Sequence, residues 1–150
     1  MTIAIYPGSF NPFTIGHLNI LEKAEKIFGE GNVIVSIGSN PAKTDDKTSI
    51  LSRSKYIQDK IGRRVEIYTT FLHEYIQSKE DEGYNVVMVR GLRNGDDLAY
   101  ENNQLRFIEE FKPDIKSVFI MCDKKYEHVS SSAIRQLESF RKGSSKHYTI

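Results

Sequence analysis

Five short runs of apolar, mostly β-branched residues punctuate the chain: Ile3 to Tyr6, Val33 to Ile37, Val65 to Tyr68, Val86 to Val89 and Val118 to Cys122. Each is bounded by turn or polar residues and, Ser36 and Glu66 apart, is continuous rather than alternating in its apolarity, the pattern of strands buried on both faces of a parallel sheet. The segments between them carry apolar residues at helical spacing. Leu18, Ile20, Leu21, Ala24, Ile27 and Phe28 make a stripe closed by Gly29 and Gly31, and Ile50, Ser54, Ile57 and Ile61 repeat it before Gly62. A shorter stripe, Phe71, Leu72, Tyr75 and Ile76, precedes Gly83; Asp97 to Glu110 ends before Pro113; Ser130 to Phe140 turns Ala133, Ile134 and Leu137 inward. The alternation predicts an α/β fold, a single Rossmann-like domain with a five-stranded parallel sheet and helices on both faces. Residues 1–140 are assigned to that domain, and 141–150, polar from Arg141 to His147, to a mobile C-terminal tail.

Composition narrows the classes. At 150 residues with 39% apolar and 27% charged residues, the chain has the make-up of one globular domain. The net charge of +1 offers no field for nucleic acid or a membrane surface, so neither is expected as a partner. The single cysteine, Cys122, permits no intrachain disulfide and no cysteine metal cluster. The N-terminal Met1-Thr2-Ile3-Ala4-Ile5-Tyr6 reaches Pro7-Gly8 without the basic and apolar regions of a signal peptide, and a cytoplasmic location is the expectation.

In doubly wound sheets, ligands bind beyond the carboxyl ends of the strands. The loops there are Pro7 to His17, Gly38 to Lys43, Arg90-Gly91-Leu92-Arg93 and Asp123 to Ser132. Neither GxGxxG nor GxxxxGK[ST] occurs, so hydride-transfer and P-loop readings lose their main support. Thr14-x-Gly16-His17 opens a helix, where backbone N–H groups favour an anion, His17 can donate to a phosphate oxygen and Gly16 leaves room; the plain alternative is a capping threonine beside a solvent histidine. Arg90 and Arg93 supply guanidiniums suited to phosphate, or pair with Asp96, Asp97 or Glu101. Lys43 is a candidate phosphate ligand or a lone surface lysine. Ser130, Ser131 and Ser132 stand at another helix start, and capping accounts for one hydroxyl better than for three. No Ser-His-Asp arrangement or helical HxxxH pair is readable.

Together these motifs resemble the TxGH branch of the nucleotidylyltransferase superfamily, and within it the bacterial phosphopantetheine adenylyltransferase family. Tyr6-Pro7-Gly8-Ser9-Phe10-Asn11-Pro12 with Thr14-x-Gly16-His17 is similar to the family's opening motif, Arg90-Gly91-Leu92-Arg93 followed by Tyr100-Glu101 to its arginine motif, and Val129-Ser130-Ser131-Ser132 to its late serine motif. The resemblance runs from residue 3 to about residue 138. It implies transfer of AMP from ATP to 4′-phosphopantetheine, giving dephospho-coenzyme A and pyrophosphate. It implies that His17, Ser9, Lys43 and Arg93 are catalytic; that Ser9, Phe10, His17, Gly91, Leu92, Arg93, Glu101 and Tyr126-Glu127-His128-Val129-Ser130-Ser131-Ser132 hold ATP; and that Ser9, Lys43, Leu72 and Arg90 hold the acceptor. Mg2+ would be carried by phosphates and water with no protein side chain as ligand. A homohexamer and feedback by coenzyme A are implied in the same way.

The chain departs from the family pattern at Ser9, where threonine is usual, at Asn11, where aspartate is usual, at Tyr126-Glu127-His128, which replaces a more apolar stretch, and at Ser52, where a glutamate precedes the arginine at Arg53. Asn11 gives the FNP form found in some nicotinamide-nucleotide adenylyltransferases. Nicotinamide mononucleotide therefore stands as an alternative acceptor, and a non-catalytic nucleotide sensor as an alternative class.

Overall fold

The structure, a computed structural model, describes residues 1–39 and 46–150. The elements follow in the order β1 (Thr2–Gly8), α1 (Ile15–Phe28), β2 (Val33–Gly38), α2 (Asp46–Ile61), β3 (Val65–Tyr68), α3 (Leu72–Asp81), β4 (Asn85–Leu92), α4 (Gly95–Phe111), β5 (Ser117–Met121) and α5 (Ser131–Phe140). All pairings are parallel and the strand order is β3-β2-β1-β4-β5, so the sheet grows outward in both directions from β1. The boundary between β1 and β4 is the switch point at which such sheets bind ligands.

Alternate residues of each strand feed two cores. Ala4, Tyr6, Val35, Ile37 and Val89 pack under Ile20, Leu21 and Ala24 of α1 and Ile57 and Ile61 of α2. Ile3, Ile5, Ile34, Val86 and Met88 pack on the other face against Tyr75 and Ile76 of α3, with Leu105 and Ile108 of α4. This is the predicted arrangement, five parallel strands covered on both faces.

Two boundaries differ from the pattern-based expectation. The fourth strand continues past Val89, pairing Arg90 with Phe119, Gly91 with Ile120 and Leu92 with Met121. Arg90 and Gly91 therefore sit in a strand, not in a loop beyond it; a charged residue ended the apolar run, but the pairing with β5 carries it. Residues 141–150 fold back onto the domain instead of standing apart from it. Ser145 is buried and donates to Glu138 Oε1 at 2.8 Å, the Tyr148 ring meets His128 edge-on at 5.7 Å, and Thr149 pairs antiparallel with Thr14.

Candidate functional site

A cavity of about 420 Å3 opens at the carboxyl edge of the sheet between β1 and β4, and a smaller one of about 250 Å3 shares Tyr6, Ser9, His17, Gly91, Glu101 and Ser131 with it. The first turn of α1 sets one side. Thr14 caps the helix by accepting from the His17 N–H at 3.2 Å, and its own N–H donates to His17 Nδ1 at 2.9 Å, a reciprocal cap with histidine in the usual glutamate position. A backbone N–H can only donate, so Nδ1 is the unprotonated nitrogen and the neutral ring carries its hydrogen on Nε2. Burial against Phe10 and Phe13, reinforced by the charge of Arg93, pushes the imidazole pKa down to about 4. His17 is thus a neutral donor at physiological pH.

Phe10 supports that ring. It is buried, meets His17 edge-on at 4.9 Å and Tyr6 at 5.1 Å, and holds a backbone φ of 45° that aromatic packing must maintain. Its side chain is part of the core more than of the cavity surface. Ser9 beside it is exposed and lines both hollows.

Both arginines of the RGLR segment are paired. Arg90 donates from Nε and Nη2 to the Glu101 carboxylate at 2.6 and 2.8 Å and from Nη1 to Pro7 O at 3.3 Å. Arg93 donates from Nε and Nη2 to Asp97 at 2.8 and 2.9 Å, and its N–H reaches the same carboxylate at 2.9 Å, which holds the Asp97 carboxyl below the usual range. A guanidinium has five N–H donors; Arg90 uses three and Arg93 two in these bonds, so each retains donors for a phosphate without breaking its pair. Gly91 lies between them, where an added Cβ would come within 2.8 Å of Ile20 Cγ1: the glycine lets α1 seat closely on β4.

The three serines divide their work. Ser130 accepts from Ala133 N–H at 3.0 Å as the cap of α5, Ser131 donates to Pro12 O at 2.7 Å, and Ser132 accepts from Arg135 Nη2 at 3.2 Å. With Tyr126 and Val129 they form the wall facing His17. Glu127 and His128 are exposed and do not line the cavity. Leu72, the first residue of α3, is half-buried against the second core and also lies apart from it. Lys43 falls outside the described residues. Asn11 lines a separate cleft with Arg53 and Tyr56, so the FNP departure does not alter the cavity surface. The cavity is completed by Tyr6, Asp97, Tyr100, Cys122 and Arg135. Tyr6 and Cys122 read as core in the sequence; their positions at strand ends were the available signal. Burial pushes the pKa of both groups up, so each stays protonated.

Residues 5–137 match the cytidylyltransferase-like family. A phosphopantetheine adenylyltransferase of Clostridium novyi is 38% identical over 144 residues, covering 93% of this chain and 85% of the relative. Its counterpart from Geobacter sulfurreducens is 33% identical over 142 residues, covering 91% and 82%. A crystal structure of a Vibrio parahaemolyticus protein named as a nicotinate-nucleotide adenylyltransferase superposes over 100% of this chain and 88% of that one with a TM-score of 0.65; at 19% identity it speaks for the fold alone.

Proposed function

The chain belongs to the cytidylyltransferase-like family, among the phosphopantetheine adenylyltransferases, and we infer that it transfers AMP from ATP to 4′-phosphopantetheine, releasing pyrophosphate and dephospho-coenzyme A. The observation that carries this reading is the convergence at the switch point of a neutral His17 donor and two pre-paired arginines, with Arg93 and the serine-bearing wall lining the larger cavity and Arg90 the smaller one that shares His17, Ser9 and Ser131 with it.

The acceptor's phosphate oxygen attacks the α-phosphorus in line, the bond to the bridging oxygen breaks, and pyrophosphate leaves with its electron pair. Such transfers need positioning and charge stabilisation more than covalent help. His17 Nε2–H and the Ser9 hydroxyl serve the α-phosphate, Arg93 with Ser130 to Ser132 the leaving pyrophosphate, and Arg90, with Lys43, the acceptor. Glu101 holds Arg90 in place and Asp97 holds Arg93. Mg2+ belongs to the proposal as an ion carried on the triphosphate. In its support, the carboxylates at the cavity, Asp97 and Glu101, are engaged by arginines. No helix among those residues is long and apolar enough to cross a membrane. A cytoplasmic location, a homohexamer and feedback by coenzyme A are proposed on the family resemblance.

Mass spectrometry of the products from ATP, Mg2+ and 4′-phosphopantetheine tests this assignment. Dephospho-coenzyme A is expected; a dinucleotide formed only from nicotinamide mononucleotide would reassign the acceptor.

A further inference from the structure

The wall that faces His17 is irregular chain, residues 123–130, between the end of β5 and the start of α5, with one 3-10 turn over Lys124–Tyr126. Its place is set from outside. At its far end Ser131 Oγ donates to Pro12 O and Arg135 Nη1 to Asn11 O, both at 2.7 Å. At its near end Asn19 of α1 makes two bonds to one residue: Nδ2 donates to Asp123 Oδ2 at 3.0 Å, and Oδ1 accepts from the Asp123 N–H at 2.8 Å. Lys23 completes the ring, donating to Met121 O at 2.7 Å and pairing with Asp123 Oδ1 at 2.8 Å.

Asn19 and Lys23 are four residues apart and so share a face of α1, the helix whose first turn carries His17. None of Asn19, Lys23 and Asp123 lines the cavity. An exposed ion pair alone contributes little, since water screens it. What distinguishes this ring is geometry: the amide reads both the carboxylate and the backbone of Asp123, which fixes the loop's register along α1 as well as its distance. Gly16, one turn earlier, faces the same wall: an added Cβ would lie in ordinary contact with it, 3.7 Å from Val129 O and 3.9 Å from Tyr126 Cβ.

We propose that Asn19 and Asp123, tied by Lys23, are positioning residues that set the spacing between His17 and the serine-bearing wall and thereby the seat of the leaving pyrophosphate. The proposal rests on the adenylyl-transfer reading.

Its test is a reciprocal exchange. Asn19→Asp removes the amide donor and faces two carboxylates; the double variant Asn19→Asp with Asp123→Asn rebuilds the pair with donor and acceptor reversed and leaves Lys23 a carboxylate. Steady-state kinetics in both directions should show the KM for ATP and for pyrophosphate raised about tenfold in Asn19→Asp, with the KM for 4′-phosphopantetheine within about twofold, and the double variant restored to within about threefold. Equal shifts in all three constants, no shift, or a folded double variant that fails to recover would overturn the proposal. Should Asn19→Asp not fold, Asn19→Ala and Lys23→Met carry the same expectation. If the wild-type chain releases no pyrophosphate with any acceptor, the reaction reading itself fails. Calorimetric ATP binding then decides the clamp, tenfold weaker binding in the variant supporting it and equal affinity refuting it.

Discussion

The backbone N–H of Thr14 donates to Nδ1 of His17 at 2.9 Å, so the helix cap chooses the histidine tautomer. The remaining ring hydrogen, on Nε2, is the one available to a phosphate oxygen, and the same bond is lost if Nδ1 becomes protonated.

Replacing His17 with alanine is therefore expected to lower kcat by about 10²–10³-fold, the loss typical of one preorganised donor, with ATP binding changed far less. Turnover and calorimetric ATP affinity measured side by side check this; unchanged turnover removes His17 from the mechanism.

The pH dependence follows from the same contact. Folded His17 titrates at about 4, below its ordinary 6.5, because burial and then Arg93 disfavour the cation. Its contribution to stability is full above pH 6.5 and is lost as the pH falls through about 4. Urea unfolding of wild type and His17→Gln should show a difference that narrows over that range, and the rate profile should lack an inflection near 6.5.

The fold was legible because five short, largely apolar runs and the stripes between them specify strands covered on both faces. The reciprocal cap was partly legible, since Thr14-x-Gly16-His17 marks a helix start, but histidine acting as the capping acceptor is a matter of rotamer and not of residue type. The extent of β4 was hidden because Arg90 reads as a loop residue until Glu101, eleven positions on, is seen to receive it. The packing of 141–150 was hidden because the buried group there is Ser145, satisfied by Glu138, and polarity alone reads as exposure.

The Arg90–Glu101 pair is mostly buried, with 24% and 12% of the side chains exposed. Glu101→Gln leaves a guanidinium short of its counter-charge, and a loss of about 2–3 kcal/mol in stability is expected together with weaker substrate binding. Denaturant unfolding separates the two: weaker binding with unchanged stability would make Glu101 a ligand group only.

Gly91→Ala would drive a methyl group to within 2.8 Å of Ile20 Cγ1. We expect a stability loss of about 1–3 kcal/mol from the forced separation of α1 and β4, relieved in part by adding Ile20→Val. Additive losses in the double variant would contradict close packing at this point.

Pyrophosphate release from ATP and Mg2+ by the purified chain, measured with 4′-phosphopantetheine, with nicotinamide mononucleotide and with no acceptor, tests the central claim most directly. Release that depends on 4′-phosphopantetheine is the predicted result. Release with the mononucleotide alone, or ATP binding without release under all three conditions, would contradict it.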